Sequence, residues 1–355
     1  MATSMASETP VSIPSHDFHI MLAFARTVFA LKDNQAYLEQ LERYLPDAAK
    51  IRTTWPSVLM GFDFHLTPEG PKLIEINNNA GGLYIGEDCW FPQPDIVELK
   101  GSLEERLVGM FREEWMSIAI MDENVTEQFM YPEMLAYAEL FERHGRHAVV
   151  VSPEDLQLTD NGLSVDGRAI DAIYNRHTDF YLEEADIRHI RQAYERGQVV
   201  INPHPRSYAL IGDKSRMVDW WRPGLLEACV DDDSLALIRA VTPETIHLAE
   251  TDSDKAWSER KDYVFKPAAR HGGKGVVIGR GMSRKRFDSF DLNETIMQKL
   301  VPPSVVDVEG VEMKLDIRLF MHGRNLIALA GRVWRGQVTN FREPGSGWVA
   351  LSIEG

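Results

Sequence analysis

The 355-residue sequence predicts an α/β (α+β) fold, and three observations carry that prediction. From residue 116 to 205, short β-branched runs alternate with amphipathic helical stretches, the pattern of a largely parallel sheet covered by helices. Two long strand-like runs, 311–321 and 325–335, meet at the turn Met321-His-Gly-Arg-Asn325, which makes a hairpin. A second pair of runs flanks Pro68-Glu-Gly-Pro71, a turn sequence of the same kind.

Taken in order, residues 1–15 are rich in Ser, Thr and Pro, lack the basic and apolar regions of a signal peptide, and read as a flexible tail. Apolar positions recur at helical spacing over 17–32 and 34–45, with Asp33 as the expected cap between them. A strand hairpin over about 61–77 follows, then a helix over 102–115. The α/β unit begins with the strand 117–121 and a helix over 127–144 that Gly145 stops. Strands 147–151 and 169–175, a helix over 183–196 stopped by Gly197, and the strand 199–202 complete it. From residue 207 a helix carries Ile211-Gly-Asp-Lys-Ser-Arg-Met217. A glycine-rich hairpin, a short basic helix near 283–290, the strand 295–301 and the two long strands close the chain. The expected division is a tail over 1–15, a segment 16–115 that packs with the C-terminal part, an α/β domain 116–206, and a binding domain 207–355.

Hydrophobic content of 44% and charged content of 26% are those of a globular protein with real cores. No run of eighteen apolar residues marks a membrane span. A net charge of −16 and a pI near 5.2 leave no basic footprint for nucleic acid. Two cysteines, Cys89 and Cys229, make no disulfide framework and point to a reducing, cytoplasmic setting. Cys89 reads as an inert buried thiol rather than a nucleophile.

Two stretches carry chemistry. In Leu73-Ile-Glu-Ile-Asn-Asn-Asn-Ala-Gly-Gly82 a strand runs into an oxygen-rich cluster, and Gly61-Phe-Asp-Phe-His65 is its hairpin partner. Asp63 would then face Glu75 and Asn77, an oxygen set suited to Mg²⁺ bridging to phosphate; an Asn-rich turn is the plain alternative. The second stretch is Tyr263-Val-Phe-Lys-Pro-Ala-Ala-Arg-His-Gly-Gly-Lys-Gly-Val-Val-Ile-Gly279. His271, Gly272, Gly273, Lys274 and Gly275 form a loop between two strands, where glycine lets backbone N–H groups approach an anion. Gly275 follows Lys274 where a phosphate-binding P-loop needs Ser or Thr, and no helix follows, so a flap over phosphates is expected. Seven Lys or Arg and no acid occur from Lys266 to Arg286, a cationic island in an acidic chain. A solvated basic face is the alternative.

Together these motifs resemble the ATP-grasp superfamily of ATP-dependent carboxylate–amine and carboxylate–thiol ligases. Lys214 and Lys266 look like the family's two phosphate-binding lysines. Gln298, Lys299, Leu300 and Val301 look like the linker strand whose backbone holds adenine. Asp316-Ile-Arg318, Gly331-Arg332 and Thr339-Asn-Phe341 are similar to its later triphosphate and substrate contacts. The family's Glu-x-Asn motif does not follow those strands here. It stands near the N-terminus as Glu75-Ile-Asn77, behind Asp63, which is the order of circularly permuted members and resembles the synthetase domain of glutathionylspermidine synthetase. The resemblance spans residues 60 to 348.

That resemblance implies ATP, two Mg²⁺ ions and an acyl phosphate, with a small carboxylate such as an amino acid or peptide and an amine as substrates. It also implies a homodimer. Asp63, Glu75 and Asn77 would hold metal, and Arg318 and Arg332 would serve the transferring phosphoryl or else form strand-surface ion pairs. Arg176, at a strand C-terminus, is the expected substrate contact or a structural salt bridge. Asn78, Asn79, Arg335 and Asn340 are the remaining substrate candidates. One departure matters. Glutathionylspermidine synthetases put an Arg two residues before the metal Asp, where this chain has Gly61. Either Arg318, Arg332 or Arg335 supplies that charge, or the protein binds ATP without ligase turnover. A phosphotransferase is a third reading.

Overall fold

The computed structural model describes residues 9–84, 96–268, 275–336 and 345–354. Strand β1 (Val11–Pro14) leads into helices α1 (Ser15–Leu31), α2 (Gln35–Leu41) and α3 (Asp47–Lys50). β2 (Met60–Thr67) and β3 (Gly70–Asn77) make the antiparallel hairpin, and α4 (Leu103–Val108) follows. The α/β unit runs β4 (Ser117–Met121), α5 (Tyr131–Arg143), β5 (His147–Val151), β6 (Gln157–Thr159), β7 (Gly162–Val165), β8 (Arg168–Ala169), β9 (Ala172–Asn175), α6 (Arg188–Glu195) and β10 (Val200–Asn202). Next come α7 (Pro205–Ser207), a π-helical turn at Tyr208–Gly212, α8 (Ser215–Asp219), α9 (Asp232–Val241), β11 (Thr245–His247), α10 (Ser253–Glu259), β12 (Tyr263–Pro267) and β13 (Val277–Ile278). The last elements are α11 (Arg284–Phe287), β14 (Thr295–Lys299), β15 (Ser304–Val308), β16 (Val311–His322), β17 (Asn325–Trp334), β18 (Gly347–Val349) and β19 (Leu351–Glu354).

Two local expectations are corrected. Asn34, not Asp33, caps α2, because its Oδ1 accepts the Tyr37 N–H at 3.0 Å while the exposed Asp33 pairs with Lys32 at 2.7 Å. The helix expected over 102–115 ends at Val108, since Gly109 follows and glycine propagates a helix poorly. The stops at Gly145 and Gly197 hold; both adopt the left-handed φ, +74° and +68°, that a helix C-terminus favours.

The large sheet has the order β18-β17-β16-β2-β3, with β15 paired to β16. A hairpin from the first eighty residues therefore completes a sheet otherwise built from the last fifty. One face of that sheet packs Phe62, Phe64, Ile317, Leu319 and Leu329 against α1, whose Phe18, Met21, Leu22, Ala25 and Phe29 form its inward stripe. On the opposite face, Phe320, Ala328, Ala330 and Trp348 join a second core shared with the α/β unit. That unit's sheet is wholly parallel, in the order β10-β9-β4-β5. β5 and β9 flank β4 on opposite sides, so the chain reverses direction beside β4, a switch point where open α/β sheets leave a crevice. A small antiparallel sheet, β11-β14-β12-β13, makes the third layer. Among the described residues no helix is long and apolar enough to cross a membrane.

Candidate functional site

Side chains alternate along a strand, so burying Phe62 and Phe64 in the core turns Asp63 to the other face of the large sheet. Register then fixes its neighbours: Asp63 lies opposite Glu75 on one side and Arg318 on the other, and Asp316 lies opposite Arg332. Asp63 is 1% exposed. Its Oδ1 accepts Arg318 Nε at 2.6 Å. Its Oδ2 accepts Arg318 Nη2 at 2.6 Å, Arg332 Nη2 at 2.7 Å and Asn77 Nδ2 at 3.0 Å. Arg332 Nε also donates to Asp316 at 2.6 Å. Burial alone would raise the Asp63 carboxyl, but Arg318 and Arg332 outweigh it and hold it below the usual carboxylate range.

The small sheet brings the second half. Lys266 is 6% exposed, and its Nζ donates to the Ile74 carbonyl at 3.0 Å and to Gln298 Oε1 at 2.7 Å. The lysine before the glycine-rich stretch therefore touches the residue next to Glu75, so the two stretches meet. Burial pushes Lys266 down to about 8; Glu75 and Asp63 oppose that, while the positive charge of Lys214 adds to it. Lys214 is itself buried, at the start of α8 behind the π-helical turn. Gln298 is anchored by donating its Nε2 to Thr245 Oγ1 at 3.1 Å.

The linker strand is tied down on both sides. Lys299 N–H donates to Glu244 O and Leu300 N–H to Asp262 O, each at 2.8 Å. The Lys299 ammonium stays at the surface, 4.8 Å from the Tyr263 ring centre. The Val301 carbonyl accepts from His65 Nδ1 at 3.3 Å. Burial pushes His65 down to about 4, so the neutral ring makes that bond through a protonated Nδ1. His65 also stacks on Trp334 with ring centres 6.2 Å apart. Sequence reasoning passed over His65, although it stands two residues beyond Asp63 on the same strand and was findable by period-two alternation.

Gly61 explains itself. A Cβ there would lie 2.9 Å from Ala80 Cβ and 3.2 Å from Arg318 Nε, so the volume over Gly61 belongs to Arg318. A guanidinium arriving from β16 occupies the space into which a side chain at position 61 would project. Arg335 does not join the row; it is exposed, with its Nε 3.3 Å from Met313 Sδ.

Arg176 is 8% exposed and clasped by the chain itself. Its Nη1 donates to Asn79 Oδ1, to the Ala80 carbonyl at 3.1 Å and to Tyr174 OH at 3.2 Å, while Asn79 Nδ2 returns a bond to the Arg176 carbonyl at 2.8 Å. Buried Glu133 accepts the N–H groups of Gly82 and Tyr84, both at 2.9 Å. These contacts lock the turn after β3 onto the switch-point crevice, where burial raises Asp122 to about 6 against the pull of Arg176. Asn78 is different: it is 2% exposed, and neither its Oδ1 nor its Nδ2 has a hydrogen-bond partner among the described residues. A buried amide with both ends unmet is unusual in a native fold.

His177, Glu184 and Asp186 also come together, with His177 Nε2 4.0 Å and 3.9 Å from the two carboxylates. His177 Nδ1 accepts the Asp179 N–H at 3.1 Å, which places the neutral ring's proton on Nε2. The two carboxylates are exposed, and exposed acidic groups of this kind are common without a metal.

Lys214, Lys266, Arg318 and Arg332 gather beside the carboxylates of Asp63, Glu75 and Asp316. For a hard cation the fit is divided. Asn77 Nδ2 faces Asp63 and also Glu75 Oε1 at 3.2 Å, which turns the Asn77 amide oxygen away from both carboxylates. Glu75 and that amide oxygen are suitable donors, whereas Asp63 already accepts four N–H bonds, three of them on Oδ2, and its charge is met by two arginines. His271, Gly272, Gly273, Lys274, Asn340 and Cys89 lie outside the described residues. Gly275, with φ +84° and a Cβ position 2.8 Å from Pro267, admits only glycine at the foot of the flap.

No protein-family model and no curated protein matches the sequence. Solved structures do resemble it. A glutathione synthetase-like effector (GSS30) from Globodera pallida, in its apo form, is 11% identical, with 97% of this chain and 89% of that chain covered and a TM-score of 0.59. A gamma-glutamylcysteine synthetase-like chain from Methylobacillus flagellatus KT is 12% identical, covering 93% and 88%, at a TM-score of 0.53. At such identity the likeness concerns the fold alone, a mixed α/β architecture.

Proposed function

We propose that the chain is an ATP-dependent carboxylate–amine ligase of circularly permuted ATP-grasp type, related in layout to the synthetase domain of glutathionylspermidine synthetase. The observation that carries this reading is the contact of Lys266 with Ile74, which joins the flap sheet to the Glu75–Asn77 hairpin. The order of the large sheet supports the permutation, since an N-terminal hairpin stands beside C-terminal strands. An amino acid or small peptide is the acyl donor favoured by analogy of fold.

Lys214 and Lys266 brace the α- and β-phosphates. Arg318 and Arg332, held rigidly by Asp63 and Asp316, meet the γ-phosphoryl as it moves. Asp63 acts as the holder of both guanidinium forks, while Glu75 and Asn77 offer the oxygens for Mg²⁺. Glu75 and the Asn77 amide oxygen would hold such a metal, which would supply positive charge to offset the repulsion between phosphate and an incoming carboxylate. The substrate carboxylate attacks the γ-phosphorus and ADP departs. The amine then adds to the acyl carbonyl, loses a proton and expels phosphate. Asn78, with both amide ends unmet, faces the acyl substrate; Arg176 and Asn79 support it from behind.

The second reading, an ATP-binding protein without turnover, draws on the Asp63 carboxylate, whose charge is taken up by two arginines. One assay separates the two. ADP and phosphate released only when pools of carboxylates and amines are both present support ligation. ATP bound without turnover under any pool supports the second reading, and a stable phosphorylated product a phosphotransferase.

A further inference from the structure

A cavity of about 530 Å³ opens away from the nucleotide cleft, between the end of α1, the loop before β2, the loop before β4 and α7. Its wall carries four cations, Lys32, Arg52, Arg112 and Arg206, against one carboxylate, Asp33. Asp33 is paired with Lys32 at 2.7 Å. Arg52 and Arg206 share the single carboxylate of Glu42, at 3.1 Å and 3.3 Å, so their guanidiniums exceed their counter-charge. Arg112 reaches Glu114 at 3.1 Å and Thr54 Oγ1 at 3.2 Å, lies 5.0 Å over the Trp55 ring, and leaves its buried Nε without a partner among the described residues. In a chain of charge −16, a cavity walled this way is not a sample of the general surface.

We infer that this cavity is a binding site for a small organic oxyanion, a carboxylate or phosphate carried on a flat or apolar body. Guanidinium forks match either headgroup, the indole of Trp55 with Leu38 and Leu210 offers the apolar side, and the volume suits a small metabolite. The site is separate from the proposed ATP cleft. Trp55 packs on His322, with ring centres 5.7 Å apart, and His322 lies four residues along β16 from Arg318, about 13 Å in an extended strand. Arg206 and Leu210 stand on the segment that runs through the π-helical turn into Lys214, so an anion bound here presses on the element that carries a phosphate lysine.

Calorimetric titration of the full chain with inorganic phosphate and with citrate tests the site. Saturable binding of either probe is expected, weakened about tenfold or more in the Arg52→Ser/Arg112→Gln double variant and unchanged in Lys266→Met. Binding of only one probe supports the site and identifies its headgroup. Arg52 is 71% exposed, so Arg52→Ser alone, which leaves the packing intact, is expected to weaken binding about threefold. No saturable binding to the wild type, binding that survives both Arg52 variants, or binding lost in Lys266→Met overturns the assignment.

Discussion

Two buried arginine stations divide this molecule, and they are built on opposite logic. On the large sheet, Arg318 and Arg332 are held by the buried carboxylates of Asp63 and Asp316. On the α/β unit, Arg176 is held mainly by neutral oxygens of Asn79, Ala80 and Tyr174, with Glu133 and Asp122 as nearby counter-charges. The first arrangement pairs each cation with a carboxylate of the same sheet, and in the proposed function these cations serve the phosphoryl group. The second uses a cation as a rivet between the turn after β3 and the strand end of β9. An arginine's identity therefore says little about its task, and the oxygens around it say much more.

The comparison is broken most forcefully at Arg318. Arg318→Met is expected to lower turnover by about 10³-fold or more, by analogy with arginine fingers, measured as ADP release in the two-pool assay. A loss below tenfold would make Arg318 a strand-surface ion pair. Arg176→Met should act the other way, costing about 3 kcal/mol in urea unfolding because Glu133 and Asp122 lose the nearby cation that offsets their charge, while turnover per folded molecule stays within about tenfold. Stability unchanged with turnover collapsed would return Arg176 to the substrate site. Glu75→Gln keeps the shape and removes one metal-ligand charge, and the expectation is retained folding with turnover down by about 10²-fold. Near-wild-type activity would take Glu75 out of the metal site.

The smallest effect concerns protons. Lys266 sits at about 8 in the fold against an ordinary 10.5, so between those values the unfolded chain binds more protons. Stability from this group therefore rises as pH rises through that window. Bringing phosphates beside Lys266 restores its charge, so ATP binding near pH 8.5 should take up a fraction of a proton, read from the dependence of calorimetric enthalpy on buffer. No uptake would place the phosphates elsewhere.

Much of this was legible beforehand, for definite reasons. The hairpin, the parallel sheet and the long strands were readable because Phe62, Phe64 and Leu73 alternate with polar neighbours and Gly145 and Gly197 punctuate the helices. The facing of Asp63 and Glu75 followed from the turn between their strands. What stayed hidden was long-range. Nothing local in Gly61 announces that Arg318, from a strand over 250 residues later, fills the space beside it. Nor does the sequence reveal that Asp63 pairs with two arginines, or that His65 ties the hairpin to Val301. The anion cavity drew no attention because its cations come from four separate stretches of chain.

The most direct test of the shared cleft is calorimetric ATP titration with and without Mg²⁺, on the wild type, Glu75→Gln and Lys266→Met. ATP should bind the wild type more tightly with Mg²⁺, lose that dependence in Glu75→Gln, and bind at least tenfold more weakly in Lys266→Met. A wild type that ignores ATP, or a Glu75→Gln protein with undiminished Mg²⁺ dependence, would contradict the account.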